Sequence, residues 1–266
     1  MSDQPSESKK PPQVATTLFL KKLAPIDLVR LQKATGSLLA TSDIESADHP
    51  SDDPNRPLFL PAGGGVIMTM PMPFPYPASL QQPAQFAHWW PSAEKDIASC
   101  TSHLMVSCSW ARFSRAEAHV RHTRLIAGLL EQLPAVGVLW GSSLMQTDLV
   151  CKMAANMVAG QGMPVQLWVL IQFSRQQNGN SLISTVGMRD FGHMEIETDC
   201  AKPLQETYGV VLQFANWLID QQAPVQDGFK YQYAPDASLI ARQRKSFRPN
   251  APSQVCWLDF NEATRH

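Results

Sequence analysis

Between Met163 and Glu197 the chain reads MPVQLWVLIQFSRQQNGNSLISTVGMRDFGHMEIE, and this stretch narrows the choice of folds more than any other. Val165 to Phe173 is a nearly unbroken apolar run, rich in β-branched and aromatic residues, with the length of a buried central strand. Gln176-Gln177-Asn178-Gly179-Asn180 follows, and Asn-Gly tolerates the positive φ angles of a tight hairpin turn. Leu182 to Met188 returns as a second strand. Phe191-Gly192 interrupts it, and Met194 to Glu197 alternates as a short third strand with one wet face. A helix comes next, with Pro203 near its first turn and Tyr208, Val211, Leu212, Ala215, Leu218 and Ile219 on its apolar face.

Composition excludes several function classes. The 266 residues suffice for one sizeable core or two small ones. A net charge of −1 gives no global attraction to nucleic acid or to an anionic membrane. No apolar run reaches the length of a membrane span. The first residues, MSDQPSESKKPP, are polar and show no secretory signal. Cys100, Cys108, Cys151, Cys200 and Cys256 are widely spaced, with no C-x-x-C pair. That pattern speaks against a disulfide framework and a cysteine zinc site, and for reduced thiols in the cytoplasm.

From the start of the chain, residues 1–12 read as a disordered tail and Gln13 to Leu23 as a strand. Pro25 opens a helix with Leu28, Leu31 and Leu38 inward. The segment Thr41 to Pro57 is acidic, rich in Pro and Ser, and reads as a long mobile loop. Gly63-Gly64-Gly65 leads into a strand over Val66 to Met70. The proline ladder Pro71 to Pro77, PMPFPYP, is extended but lacks the donors of a central strand. A short helix is expected over Ala78 to Trp90 and a strand over Ser102 to Trp110.

Ser114 with Glu117 forms a capping box for a helix with Val120, Thr123, Ala127 and Leu130 on one stripe. Pro134 ends it, and Val136 to Trp140 is a short strand. Ser143 with Gln146 caps a further helix that buries Met145, Leu149, Met153 and Met157. After Pro224, Phe229 to Tyr233 and Val255 to Phe260 read as strands. The basic run Arg242, Arg244, Lys245, Arg248 reads as a solvated tail, with contact to an acidic partner as the other reading.

Alternating helices and strands imply an α+β fold, an antiparallel or mixed sheet with helices packed on it. Two ferredoxin-like halves are the preferred version, although no internal repeat supports duplication. The expected organisation is one domain over 13–235 followed by a C-terminal extension over 236–266.

Three stretches together resemble one bacterial family, domain-of-unknown-function family 4261. They are Met70-Pro71-Met72-Pro73-Phe74-Pro75 with His88-Trp89-Trp90; the strand start Ser102-His103-Leu104; and Leu167-Trp168-Val169 through Thr185-Val186-Gly187-Met188 to Phe191-Gly192-His193-Met194-Glu195-Ile196-Glu197. The resemblance covers roughly residues 14–235 and implies a bacterial, cytosolic α+β domain. It brings no activity and no catalytic residues. The acidic 41–57 insert and the tail beyond 235 depart from it.

Few side chains point to chemistry. His88, His103, His193, Glu195 and Glu197 all lie at ends of expected elements, and a His/Glu set can do acid–base work or bind zinc. Against that, no H-E-x-x-H pattern exists, and Glu195 and Glu197 share the water-facing side of their strand. His119 and His122, at i and i+3 on a helix, have ligand spacing, but Arg115, Arg121 and Arg124 crowd the same helix with positive charge. Gly63-Gly64-Gly65 precedes a strand rather than a helix, so it is no phosphate cradle. Ser142-Ser143 lacks the G-x-S-x-G elbow.

Phe74, Tyr76, Trp89 and Trp90 are the partner-binding candidates. Prolines hold that segment extended, and Trp and Tyr are favoured anchors; the competing reading packs the tryptophans under the sheet. The expectation is therefore a non-enzymatic binding protein whose partner is another protein, with immunity or secretion-system accessory roles in view. No cofactor, metal, nucleic acid or membrane is expected, and oligomeric state is left open. The alternative is a hydrolase or metal-dependent enzyme built on the His/Glu set.

Overall fold

A computed structural model describes residues 12–39, 53–62, 65–77, 87–176, 179–221, 224–248 and 254–260. Helices and two mostly antiparallel six-stranded sheets make an α+β fold. The chain divides into two compact units. One gathers Met1–Gln81, Ser92–Val138 and Gln146–Ala154, the other Gln82–Pro91, Leu139–Met145 and Ala155–His266. Neither sheet is the four-stranded layer that two ferredoxin-like halves require.

The first sheet has the order β2-β3-β4-β1-β5-β6. Its strands are β1 (Gln13–Leu20), β2 (Leu58–Ala62), β3 (Gly65–Met72), β4 (Ser102–Trp110), β5 (Ala135–Trp140) and β6 (Ser143–Gln146). Alternation on β2, β3 and the later part of β4 turns Leu60, Ile67, Val106 and Cys108 inward, and β1 adds Leu18 in a stretch buried continuously from Thr16 to Leu20. Helices α1 (Leu28–Thr35), α2 (Ala93–Ala98) and α3 (Arg115–Leu130) belong to the same unit. The Ser114–Glu117 capping box is present, with Glu117 N donating to Ser114 Oγ and Ser114 N to Glu117 Oε2. Asp27 caps α1 by accepting from Arg30 N at 3.0 Å. Gly128 is where α1 meets α3: a Cβ there would lie 3.1–3.2 Å from Leu31, Ala34 and Thr35. The buried side of α3 includes Ala118, His119, His122, Leu125, Ile126 and Leu129; Thr123 and Leu130 of the expected stripe are buried with them, while Val120 and Ala127 are half-buried.

Local readings failed where two structures compete for one pattern. Ser143–Gln146 is strand β6, not a cap, because Gly141 at φ 55 turns the chain back after β5. The helix starts one residue later as α4 (Thr147–Val158), burying Val150 and Ala154. The extended ladder enters β3 as far as Met72, although β3 lies between β2 and β4. Pro71 is tolerated there because it falls beyond the last β2–β3 pair, Leu58 with Thr69. The helix expected over Ala78 to Trp90 falls outside the described residues up to 86, and 87–90 is a turn.

The second sheet has the order β10-β11-β12-β9-β8-β7. Its strands are β7 (Leu170–Arg175), β8 (Ser181–Val186), β9 (Ile196–Cys200), β10 (Phe229–Ala234), β11 (Ala237–Arg244) and β12 (Val255–Asp259). All neighbours are antiparallel except β12 with β9. The β7–β8 hairpin closes as expected, with Gly179 at φ 86 donating to Gln176 O. The apolar run before it is not one central strand. Val165–Trp168 is a helical turn, α5, started at Pro164, and β7 is the edge of its sheet. An apolar run does not by itself separate strand from buried helix. Helix α6 (Leu204–Gln221) buries Val210, Val211, Phe214, Ala215, Leu218 and Ile219. β11 and β12 come from residues 236–266, so that stretch is sheet rather than an appended extension, and β12 sits near the middle.

Gly187 stands at φ 124, and a Cβ there would lie 2.8 Å from the Trp168 carbonyl oxygen. Gly187→Ala is expected to destabilise the protein by about 2 kcal/mol through strain and backbone collision. A urea titration that leaves its midpoint unmoved would contradict this.

Candidate functional site

The two glutamates of the expected catalytic set are buried, not wet: Glu195 is 4% exposed and Glu197 0%. Two parts of the second unit account for this. β12 pairs with β9 on its far side, and residues 246–248 lie over the face that would otherwise meet water. Glu195 Oε2 accepts from Thr185 Oγ1 at 2.8 Å and Met188 N at 3.3 Å, while Oε1 accepts from Gly187 N at 3.0 Å. It ties down the turn after β8. Glu197 Oε1 accepts from Ser246 Oγ at 2.6 Å and Arg248 Nε at 2.9 Å, and Oε2 from Phe247 N at 3.1 Å. Arg248 also donates to the Thr185 carbonyl at 3.2 Å. Every oxygen of both carboxylates already holds a donor, as a buried charge requires. These are clasps, not general bases.

The histidines of the set are dispersed. His103 belongs to the first unit and is 3% exposed. Its Nδ1 is 3.0 Å from the Phe74 carbonyl, so that nitrogen carries the proton and donates. Burial lowers its pKa, with the Phe74 carbonyl opposing. His88 is at the surface of the second unit, its ring 4.3 Å from that of Phe173. His193 is buried after the turn that Glu195 holds. No group of three or more His, Cys, Asp or Glu side chains placed to hold a metal occurs among the described residues.

His119 and His122 are core residues rather than surface ligands. His119 Nδ1 donates to the Arg115 carbonyl at 2.9 Å. His122 lies between Thr16 Oγ1 and Cys108 Sγ, each 3.1 Å away. Burial drives His119 down to about 4, and burial with neighbouring His119 drives His122 down to about 3. The same burial pushes the Cys108 thiol up. This Cys–His contact escaped the sequence reading, although Cys108 on the inward register of β4 was its visible half. A neutral imidazole against a protonated thiol at 0% and 1% exposure makes no nucleophile. It is a polar tie inside a core.

The basic run is also structural in part. Arg244 reaches Asp259 at 3.4 Å and lies over the Trp257 ring, and Arg248 holds Glu197. It is no solvated tail. A hollow in the first unit, lined by Leu20, Pro25, Ile26, Thr69, Leu104 and Leu133, has about 30 Å³ of room. That suits a few waters.

The aromatic candidates divide. Trp90 is 2% exposed and is core. Phe74 and Tyr76 fold back onto β1 and β4. Phe74 packs on His103 at 5.4 Å, and Tyr76 on His103 at 5.2 Å and Phe19 at 5.1 Å. Tyr76 is half-buried, while Phe74 stays 48% exposed. Trp89 is 60% exposed, its ring edge-on to Tyr208 at 6.2 Å. The Tyr208 hydroxyl accepts from the Trp89 indole and from Gln166 Nε2 at 3.2 Å; burial raises its pKa and those two bonds oppose the rise. Phe173 and His88 continue the cluster.

Comparison with protein-family models, with curated proteins and with solved structures returns no match. No helix among the described residues is long and apolar enough to cross a membrane.

Proposed function

We propose that this is a binding protein, not an enzyme, and that its ligand is another protein. One observation carries the reading: a tryptophan 60% open to solvent yet held by an aromatic and hydrogen-bonded support of Tyr208, Phe173, His88 and Gln166. A rigid, exposed indole loses little entropy on docking and hides a large apolar area, which is how interface anchors work. The saturated carboxylates and neutral core histidines support the same side of the choice. A bacterial cytosolic setting rests on the family resemblance, and an immunity or secretion-system accessory role completes the proposal by analogy, motivated by the rigid Pro/aromatic segment and the lack of a catalytic signature.

Trp89→Ala is the direct test. Partner affinity should fall by about tenfold or more, the scale of an anchor residue, with the unfolding midpoint unchanged. Undiminished partner binding, or cooperative loss of the fold, would contradict the assignment.

A further inference from the structure

The sheet of the first unit has one side that its alternation leaves open. The register aligns Phe59, Met68, Ser107 and Ala15 in one cross-strand row, and Pro61, Val66, Ser109 and Gln13 in the next. Met70, Met105 and Thr17 form a third row, and Met72, His103 and Phe19 a fourth, closed over by Phe74 and Tyr76. Phe59 is 54% exposed, Val66 50% and Met105 43%. None of the residues of β1 to β4 is Asp, Glu, Lys or Arg.

We propose that this face is a homodimer interface, on which a second copy of the chain packs sheet against sheet. Charge points to a like surface as occupant. Transient partners are as polar as ordinary protein surface, whereas homodimer interfaces are more apolar and their cores are depleted in charge. A face without charge meets its own image without repulsion, and the chain as a whole carries only −1. Area comes close. The three rows not closed over run about 20 Å along the strands and the four strands about 19 Å across, so two copies cover about 800 Å² in projection, a little short of the roughly 1,000 Å² of a specific interface. Side-chain relief and the exposed Phe74 add to that. Met68, Met70, Met72 and Met105 supply flexible, polarizable side chains that mould to an opposing face. Packed sheets would lie about 10 Å apart.

Sedimentation velocity of the full chain tests this. The expected species has twice the 29.5 kDa chain mass at micromolar concentration. Met105→Lys with Val66→Lys should give a folded monomer whose unfolding midpoint no longer depends on protein concentration, since both side chains already face water in one copy. Footprinting with peroxide needs no variant: oxidation of Met105 should be slow in concentrated wild-type protein and accelerate on dilution. A wild-type chain that stays monomeric at about 100 μM, lysine variants that still pair, or Met105 oxidation indifferent to dilution would each overturn the assignment. None of these results depends on Trp89.

Discussion

Arg248→Ala should cost the second unit about 3–5 kcal/mol, a large share of the stability of an ordinary domain. The loss of contact is the smaller part. Glu197 is 0% exposed, and without the guanidinium its charge stays buried with only Ser246 Oγ and Phe247 N as donors. Adding Glu197→Gln should recover part of the loss, because it removes the uncompensated charge; a double-mutant cycle isolates that coupling. Hydrogen exchange at the β9 and β12 amides reads the effect locally. Were Arg248 the solvated residue that a basic tail suggests, Arg248→Ala would stay within about 0.5 kcal/mol of wild type.

Acid should open the first unit well before carboxylates titrate. Both core histidines have folded pKa values, about 4 for His119 and about 3 for His122, below the ordinary 6.5. The unfolded chain therefore binds protons that the folded chain refuses. Their stabilising contribution is complete above pH 6.5 and is lost progressively as pH falls toward 4 and 3. Each histidine costs about 1.4 kcal/mol per pH unit in that window, so about 2 kcal/mol each at pH 5. Unfolding free energy should fall by about 4 kcal/mol between pH 7.5 and 5, with uptake of close to two protons. His119→Gln should halve that slope. A stability that is flat from pH 7.5 to 5 would show the imidazoles to be solvated.

These two predictions come from residues whose roles local pattern could not display. Local chemistry was readable where it acts within one element. Ser114 and Glu117 cap α3 as the spacing requires, and Ser102–Trp110 is β4 to the residue. What depends on distant partners was not. Glu195 and Glu197 alternate as on a wet strand, yet Glu197 is roofed by residues about fifty positions later and Glu195 is turned onto Thr185 and the turn after β8, and a one-sided pattern reveals neither closure. The Arg242–Arg248 run looks solvated for the same reason, because its acceptors lie on other strands. Trp89 and Trp90 are adjacent and chemically identical, and only the turn that buries one exposes the other. Pro71, past the last β2–β3 pair yet still opposite Leu104 of β4, shows that a proline is accommodated inside a sheet where one of its two neighbouring strands has ended.

Native mass spectrometry of the chain captured from its own host at its natural level decides most directly between binding and catalysis, with Trp89→Ala captured alongside. The binding reading predicts a second, different polypeptide in fixed ratio to the wild-type chain and its loss from Trp89→Ala. A chain that carries only copies of itself, a metal or a small molecule, or a partner retained by Trp89→Ala, contradicts it.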